Sequence, residues 1–78
     1  MHYRYDSTKV QNLAVGDVIW SDGAFELRTC TAIRVIPANT GHGRTPIHVI
    51  TWADPTGQEH TYHHPASATF KRIAEVSA

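Results

Sequence analysis

Histidines are the first residues in this chain whose type and spacing suggest chemistry. Six occur among 78 residues; His60, His63 and His64 lie close together, and His48 sits on the preceding apolar segment. Neutral imidazole is a common metal ligand, so zinc has to be weighed. A structural zinc site takes four tetrahedral N, S or O ligands, and alternation along an extended strand sends His60 and His64 to one face and His63 to the other. That leaves only His48 and His64 opposed, with no carboxylate or cysteine on the same face of the hairpin. The expectation is therefore no metal and no cofactor, with imidazoles half covering an aromatic sheet face. Ordinary imidazoles titrate near ~6.5, so a chain with seven basic and seven acidic residues is neutral at pH 7 and becomes cationic below it.

A second constellation is cationic. No acidic residue lies between Leu27 and Ala53, whereas Arg28, Arg34, His42, Arg44 and His48 all do. Small β folds hold nucleic acids with stacking aromatics beside cations that reach phosphate, and Trp20, Trp52, Tyr62 and Arg44 are of the right types. The Gly41-His42-Gly43-Arg44 run offers backbone N–H groups to an anion but lacks the strand-to-helix setting of a phosphate loop. Trp20 and Trp52 sit in apolar runs and read first as core. Taken together, the candidate binding residues are Arg34, His42, Arg44, His48, Trp52, His60, Tyr62 and His64.

Catalysis finds little support in the residue pattern. No nucleophile stands beside an oriented base, and Asp17, Asp22 and Asp54 all occupy turn positions, where hydrogen bonding to local backbone is their simplest role. Cys30 is the only cysteine. It reads as a small apolar residue, and it rules out both an internal disulfide and a cysteine-rich zinc site. The chain is expected not to be an enzyme, with no small-molecule substrate.

The elements that must position these residues are strands. Asp6-Ser7-Thr8 offers capping oxygens for one helical turn over residues 9–13, with Val10 and Leu13 pointing inward. Val18-Ile19-Trp20 reads as a first strand, and Ser21-Asp22-Gly23 as a hairpin turn in which Gly23 takes the positive φ. Residues 25–36 alternate with period two, predicting an inner face of Phe25, Leu27, Thr29, Thr31, Ile33 and Val35. A strand that long must bend, as in a small barrel. Pro37 ends it, and residues 38–46 read as a flexible glycine-containing loop.

Ile47–Ala53 is predicted as the next strand, joined through Asp54-Pro55-Thr56-Gly57, a type I turn with proline second and glycine in the left-handed bulge. Pairing Asp54 with Gln58 sets Trp52 opposite His60, Ile50 opposite Tyr62 and His48 opposite His64. Pro65-Ala66-Ser67 is expected to form a 3₁₀ turn before a last strand over residues 69–73. The predicted fold is a single all-β domain over residues 1–78, a small five-stranded SH3-like barrel.

Leu13-Ala14-Val15-Gly16-Asp17-Val18-Ile19-Trp20, then Gly23 and a long alternating strand, resembles the entry of KOW-type and intein-like barrels. Splicing chemistry is not expected, because Met1 stands where a nucleophile is needed and Val76-Ser77-Ala78 where a His-Asn pair is needed. With the Asp54-Pro55-Thr56-Gly57 hairpin and the segment from Phe70 to Val76, most of the chain resembles short uncharacterised proteins of actinobacteria and their phages. That resemblance implies a small β-barrel and, among phage proteins, one that acts by occupying a host factor.

Composition bounds the function further. Balanced charge removes the long-range field of a non-specific DNA or membrane-surface binder. No apolar run reaches the ~20 residues of a bilayer span and no secretory signal is apparent, so a soluble, cytoplasmic protein is expected. The resulting expectation is a non-catalytic protein-interaction module that presents a strand edge or aromatic patch to a protein partner or to a copy of itself. The alternative is a nucleic-acid-binding barrel that uses the basic middle segment.

Overall fold

The computed structural model describes residues 2–38 and 45–77. Six strands form one antiparallel sheet: β1 (His2–Lys9), β2 (Val18–Ser21), β3 (Glu26–Ile36), β4 (Ile47–Ala53), β5 (Glu59–Pro65) and β6 (Thr69–Ser77). Their order across the sheet is β1-β6-β2-β3-β4-β5. The protein is thus all-β, but the predicted five-stranded closed barrel is replaced by six strands in an open sheet with β1 and β5 at its edges. The extra strand is β1. Asp6, Ser7 and Thr8 belong to it rather than capping a helix, and it pairs with β6, to which Lys9 contributes opposite Thr69. A strand held by a partner more than sixty residues away leaves no local turn signal. No helix is long and apolar enough to cross a membrane among the described residues.

The expected helical turn shrinks to a 3₁₀ turn at Val10–Asn12 with no side-chain cap. It is anchored by the Val10 amide, which donates to the Ala68 carbonyl (3.0 Å). This anchoring lays Val10 and Leu13 over the sheet, where they pack with Ile19, Cys30, Ile50 and Trp52 to form the core, flanked by Ile33, Ala68 and Phe70. Burying each of the larger apolar side chains stabilises the fold by ~1.5–3 kcal/mol. Before β2, Gly16 at φ +100° lets its amide reach the Cys30 carbonyl (2.8 Å), and Cys30 returns an amide bond to the Asp17 carbonyl (2.8 Å).

The inner face predicted for the long strand holds beyond the bulge, at Ile33 and Val35, and is overturned before it. Thr31 is bulged out of the β3–β4 ladder, so Cys30 opposes Trp52 and Ile33 opposes Ile50, both on the core face. A bulge inserts one residue and exchanges the faces beyond it, which is why Cys30 and Ile33 share a side that strict alternation denies them. Ahead of the bulge Arg28 opposes Ile19 on that same face. Phe25 is not in the strand at all: it sits at the hairpin tip with φ 54° and is 80% exposed. The left-handed position predicted for Gly23 falls on Phe25 instead.

The hairpin between β4 and β5 has the predicted register throughout, with Trp52 opposite His60, Ile50 opposite Tyr62 and His48 opposite His64. Asp54 donates its amide to the Gln58 carbonyl (2.9 Å), and Gly57 occupies the left-handed bulge at φ +88°. His48, Ile50 and Trp52 form the core-facing side of β4, and Val49 is buried on the opposite face. The opposite face carries a polar ladder in which the Thr51 and Thr61 hydroxyls meet at 2.9 Å and Thr31 donates to Glu59 (2.7 Å). The expected short turn before the last strand is present as a single i to i+3 hydrogen-bonded turn, the bond of a 3₁₀ turn, in which the Ala68 amide donates to the Pro65 carbonyl (3.0 Å).

Candidate functional site

Curvature of the sheet brings side chains from non-neighbouring strands together. Phe70 on β6 lies 5.4 Å, centroid to centroid, from Trp52 on β4 and meets His64 on β5 edge-on at 4.9 Å, although β2 and β3 intervene in the sheet order. These rings, with Ile19, Arg28 and Tyr62, line a groove of about 430 Å³ that opens beside Gly23 and Ala24 at the hairpin tip. Trp52 is the buried floor and Tyr62 the exposed rim, 44% accessible. Sequence reasoning had brought Trp52, Tyr62 and His64 together by register. It missed Phe70 and Arg28, whose approach depends on the curl of the sheet.

Hydrogen bonding orients the groove. The Trp52 indole N–H donates to His64 Nε2 (3.3 Å). Because Nε2 accepts, neutral His64 carries its proton on Nδ1. Burial holds the His64 imidazole below its ordinary pKa, and neighbouring His48 and His63 push in the same direction. Arg28 donates from Nη1 to the Tyr62 hydroxyl at 3.5 Å, and its guanidinium carbon lies 5.9 Å from the Tyr62 ring centre. Glu26 accepts a hydrogen bond from Arg28 Nε at 3.2 Å, so the one cation among the described residues lining the groove already has a carboxylate beside it. This wall is aromatic and locally neutral, suited to apolar or aromatic side chains more than to a polyanion.

The remaining predicted binding residues do not join this cluster in one way. His48 is buried beside it, with its Nδ1 unpartnered among the described residues. His60 caps the hairpin instead, through Nε2 to Asp54 Oδ2 (2.9 Å). The Asp54 carboxyl is held well below its usual range, first by the Thr56 hydroxyl and then by His60, with the Gln58 and Thr56 amides adding to both. Arg34 is exposed and opposes Val49 on the other face of the sheet from Arg28. His42 and Arg44, with most of the 38–46 loop, lie outside the described residues. Among the described residues of the basic middle segment, Arg28 and His48 lie on one face and Arg34 on the other.

The edge of β5 adds a second feature. Residues facing one another in an antiparallel ladder alternate between bonded and non-bonded pairs. The Asp54–Gln58 bond sets the phase, so His60, Tyr62 and His64 bond inward to β4 while Thr61 and His63 turn N–H and C=O outward. No other described strand pairs with that side. At the far edge, β1 carries Arg4, Asp6 and Lys9 and a register irregularity between Arg4 and Tyr5. Charges, prolines and bulges are the devices that protect sheet edges from pairing; β5 carries Glu59 and Pro65 at its two ends, and residues 60–64 between them have no lysine, arginine, carboxylate or bulge.

Two wider clefts flank β1 and β6. In one, Arg72 is already engaged by the Thr8 hydroxyl (3.2 Å), Asp6 (3.4 Å) and Asp17 (3.8 Å), a network that ties β1, β6 and the turn before β2 together. Among the described residues no group of three or more His, Cys, Asp or Glu is placed to hold a metal. Comparison with protein-family models, curated proteins and solved structures finds no match to this chain.

Proposed function

We propose that this chain is a non-catalytic protein-interaction module that binds its partner at the β5 edge. The observation that carries this reading is the pairing of a strand edge that has no Lys, Arg, Asp or Glu over residues 60–64 with an aromatic groove on the same strand. An extended partner segment adds to the Thr61 and His63 backbone groups and places an apolar or aromatic side chain against Tyr62 and the groove behind it. Main-chain bonds then supply affinity and the groove supplies selectivity, as in other strand-addition interfaces. The six-stranded sheet supports it as a scaffold, since three or more strands with a packed apolar face are stable alone.

The test is capture from a host-like lysate by the intact domain and by a Thr61→Lys/His63→Lys variant, at low and high salt and with nuclease added. Protein retained through high salt and nuclease by the parent, and lost by the edge variant, supports the module. Retention that disappears with nuclease or salt, and is indifferent to the edge variant, overturns it in favour of nucleic-acid binding through the basic segment, because phosphate contacts weaken steeply with salt.

A further inference from the structure

We propose that His64 is an acid-sensitive latch on the aromatic groove: a proton taken up at Nε2 breaks the bond from Trp52, and the ring then swings off the groove into solvent. The geometry of one nitrogen carries the step. His64 Nε2 accepts the Trp52 indole N–H at 3.3 Å, so the only basic atom of the neutral ring is the one that Trp52 occupies. A proton from solvent bonds to that lone pair, and the imidazolium then carries an N–H on both nitrogens. No flip of the ring restores an acceptor. Trp52 is 2% exposed, and its indole N–H has no second acceptor among the described residues. Two donors are then left facing each other in a half-buried site, which movement of His64 relieves.

No described group around the ring compensates its charge. Phe70 of β6 meets it edge-on at 4.9 Å, and Trp52 of β4 and Tyr62 of β5 lie 6.2 Å and 6.3 Å away, centroid to centroid. The titratable and charged groups that face it are His48 across the β4 ladder, Tyr62 beside it and Arg28 of β3 in the same groove, with His63 next to it on the other face of β5. From β2 and β6 the groove receives only Ile19, Ser21 and Phe70, none of them charged. The carboxylates of this region are engaged elsewhere: Glu26 with Arg28, Glu59 with Thr31 and Asp54 with His60. His48, buried with its Nδ1 unpartnered among the described residues, brings no counter-charge. Burial, then His48 and His63, favour the neutral ring, so the latch is closed at pH 7 and releases below pH ~6.5. Because β5 is an edge strand, the ring leaves without disturbing the pairing of the inner strands. Release removes one wall of the groove and uncovers its Trp52 floor, so an apolar side chain docked there at neutral pH is given up in acid.

NMR titration of the intact protein from about pH 8 to about pH 4 tests the latch, following the His64 ring nitrogens, the Trp52 indole N–H and the backbone amides of β1 and β2. The expected result is a Trp52 N–H signal that moves with the same midpoint as the His64 ring, and a His64–Phe70 ring contact that disappears there, while the β1 and β2 amides hold their shifts. His64→Gln keeps an acceptor for Trp52 and cannot titrate, so its Trp52 N–H should stay in place across the range. His60→Gln removes the histidine held by Asp54 and should leave the parent transition unchanged. A Trp52 N–H that does not move as His64 titrates overturns the inference. So does a transition retained in His64→Gln or lost in His60→Gln, or one in which every strand amide shifts together, which is global acid unfolding rather than release of a single ring. Partner capture plays no part in these readouts, so failure of the interaction-module reading leaves them intact.

Discussion

Trp52→Phe probes the groove and the core in one substitution. Trp52 is 2% exposed, packs on Phe70, and spends its only polar hydrogen on His64. Phenylalanine keeps a ring against Phe70 but removes the donor, which costs about 1 kcal/mol for a half-buried acceptor. It also leaves a void of roughly 40 Å³, which at ~24 cal/mol per Å³ contributes about 1 kcal/mol. The transfer energy of the lost apolar carbons is again about 1 kcal/mol. A total near ~3 kcal/mol is large for 78 residues, whose whole stability falls at roughly 4–12 kcal/mol. Urea unfolding should therefore show a much lower midpoint with an unchanged slope, and the nitrogen shifts of His64 should lose their strong preference for the Nδ1–H tautomer. Trp20→Phe, at a half-buried position outside the core cluster, is the control and should cost about 1 kcal/mol. A Trp52→Phe loss below ~1 kcal/mol with the His64 tautomer unaltered would refute the packing and hydrogen bonding from which the groove is built.

Three further outcomes follow from other residues. Because burial and the nearby histidines lower the His64 pKa in the folded state, the unfolded chain takes up that proton first as pH falls; its stabilising contribution is complete above pH ~6.5 and is lost as pH drops through the folded value, measurable by NMR titration of the His64 ring beside denaturation at several pH values. Asp54→Ala removes the acceptor of the Thr56 hydroxyl, the Thr56 and Gln58 amides and His60, so it destabilises the hairpin; the deficit against the parent is full above the ordinary carboxyl value of 3.8 and shrinks as pH falls below it, which thermal melts across that range will show. Phe25→Gly relieves a left-handed backbone at a side chain that buries almost nothing, and should raise stability by about 1 kcal/mol, read as a melting temperature several degrees higher.

Local chemistry determined what was legible in the sequence. The β4–β5 hairpin was readable to the residue because Pro55 and Gly57 dictate its turn and the turn dictates register, bringing His48, Trp52, Tyr62 and His64 onto one face without reference to the rest of the fold. The short apolar run of β2 and the approximate place of the 3₁₀ turn were legible for the same reason. Sequence periodicity alone left open which hairpin face is buried, because a strand of β-branched, aromatic and imidazole side chains presents plausible cores on both sides.

Tertiary structure decided the rest. The β1 strand exists because β6 is there to pair with it, and nothing within residues 2–9 announces a partner at 69–77. The Thr31 bulge, which exchanges the faces of β3, is fixed by the need to place Cys30 on Trp52 and Ile33 on Ile50 at once. The left-handed residue of the β2–β3 hairpin went to Phe25 although Gly23 was the cheaper choice locally. Phe70 and Arg28 reach the groove only when the sheet curves, and the exposed edge of β5 is a property of strand order. Each of these depends on which distant segments meet, and chain entropy separates those segments until the common core draws them together.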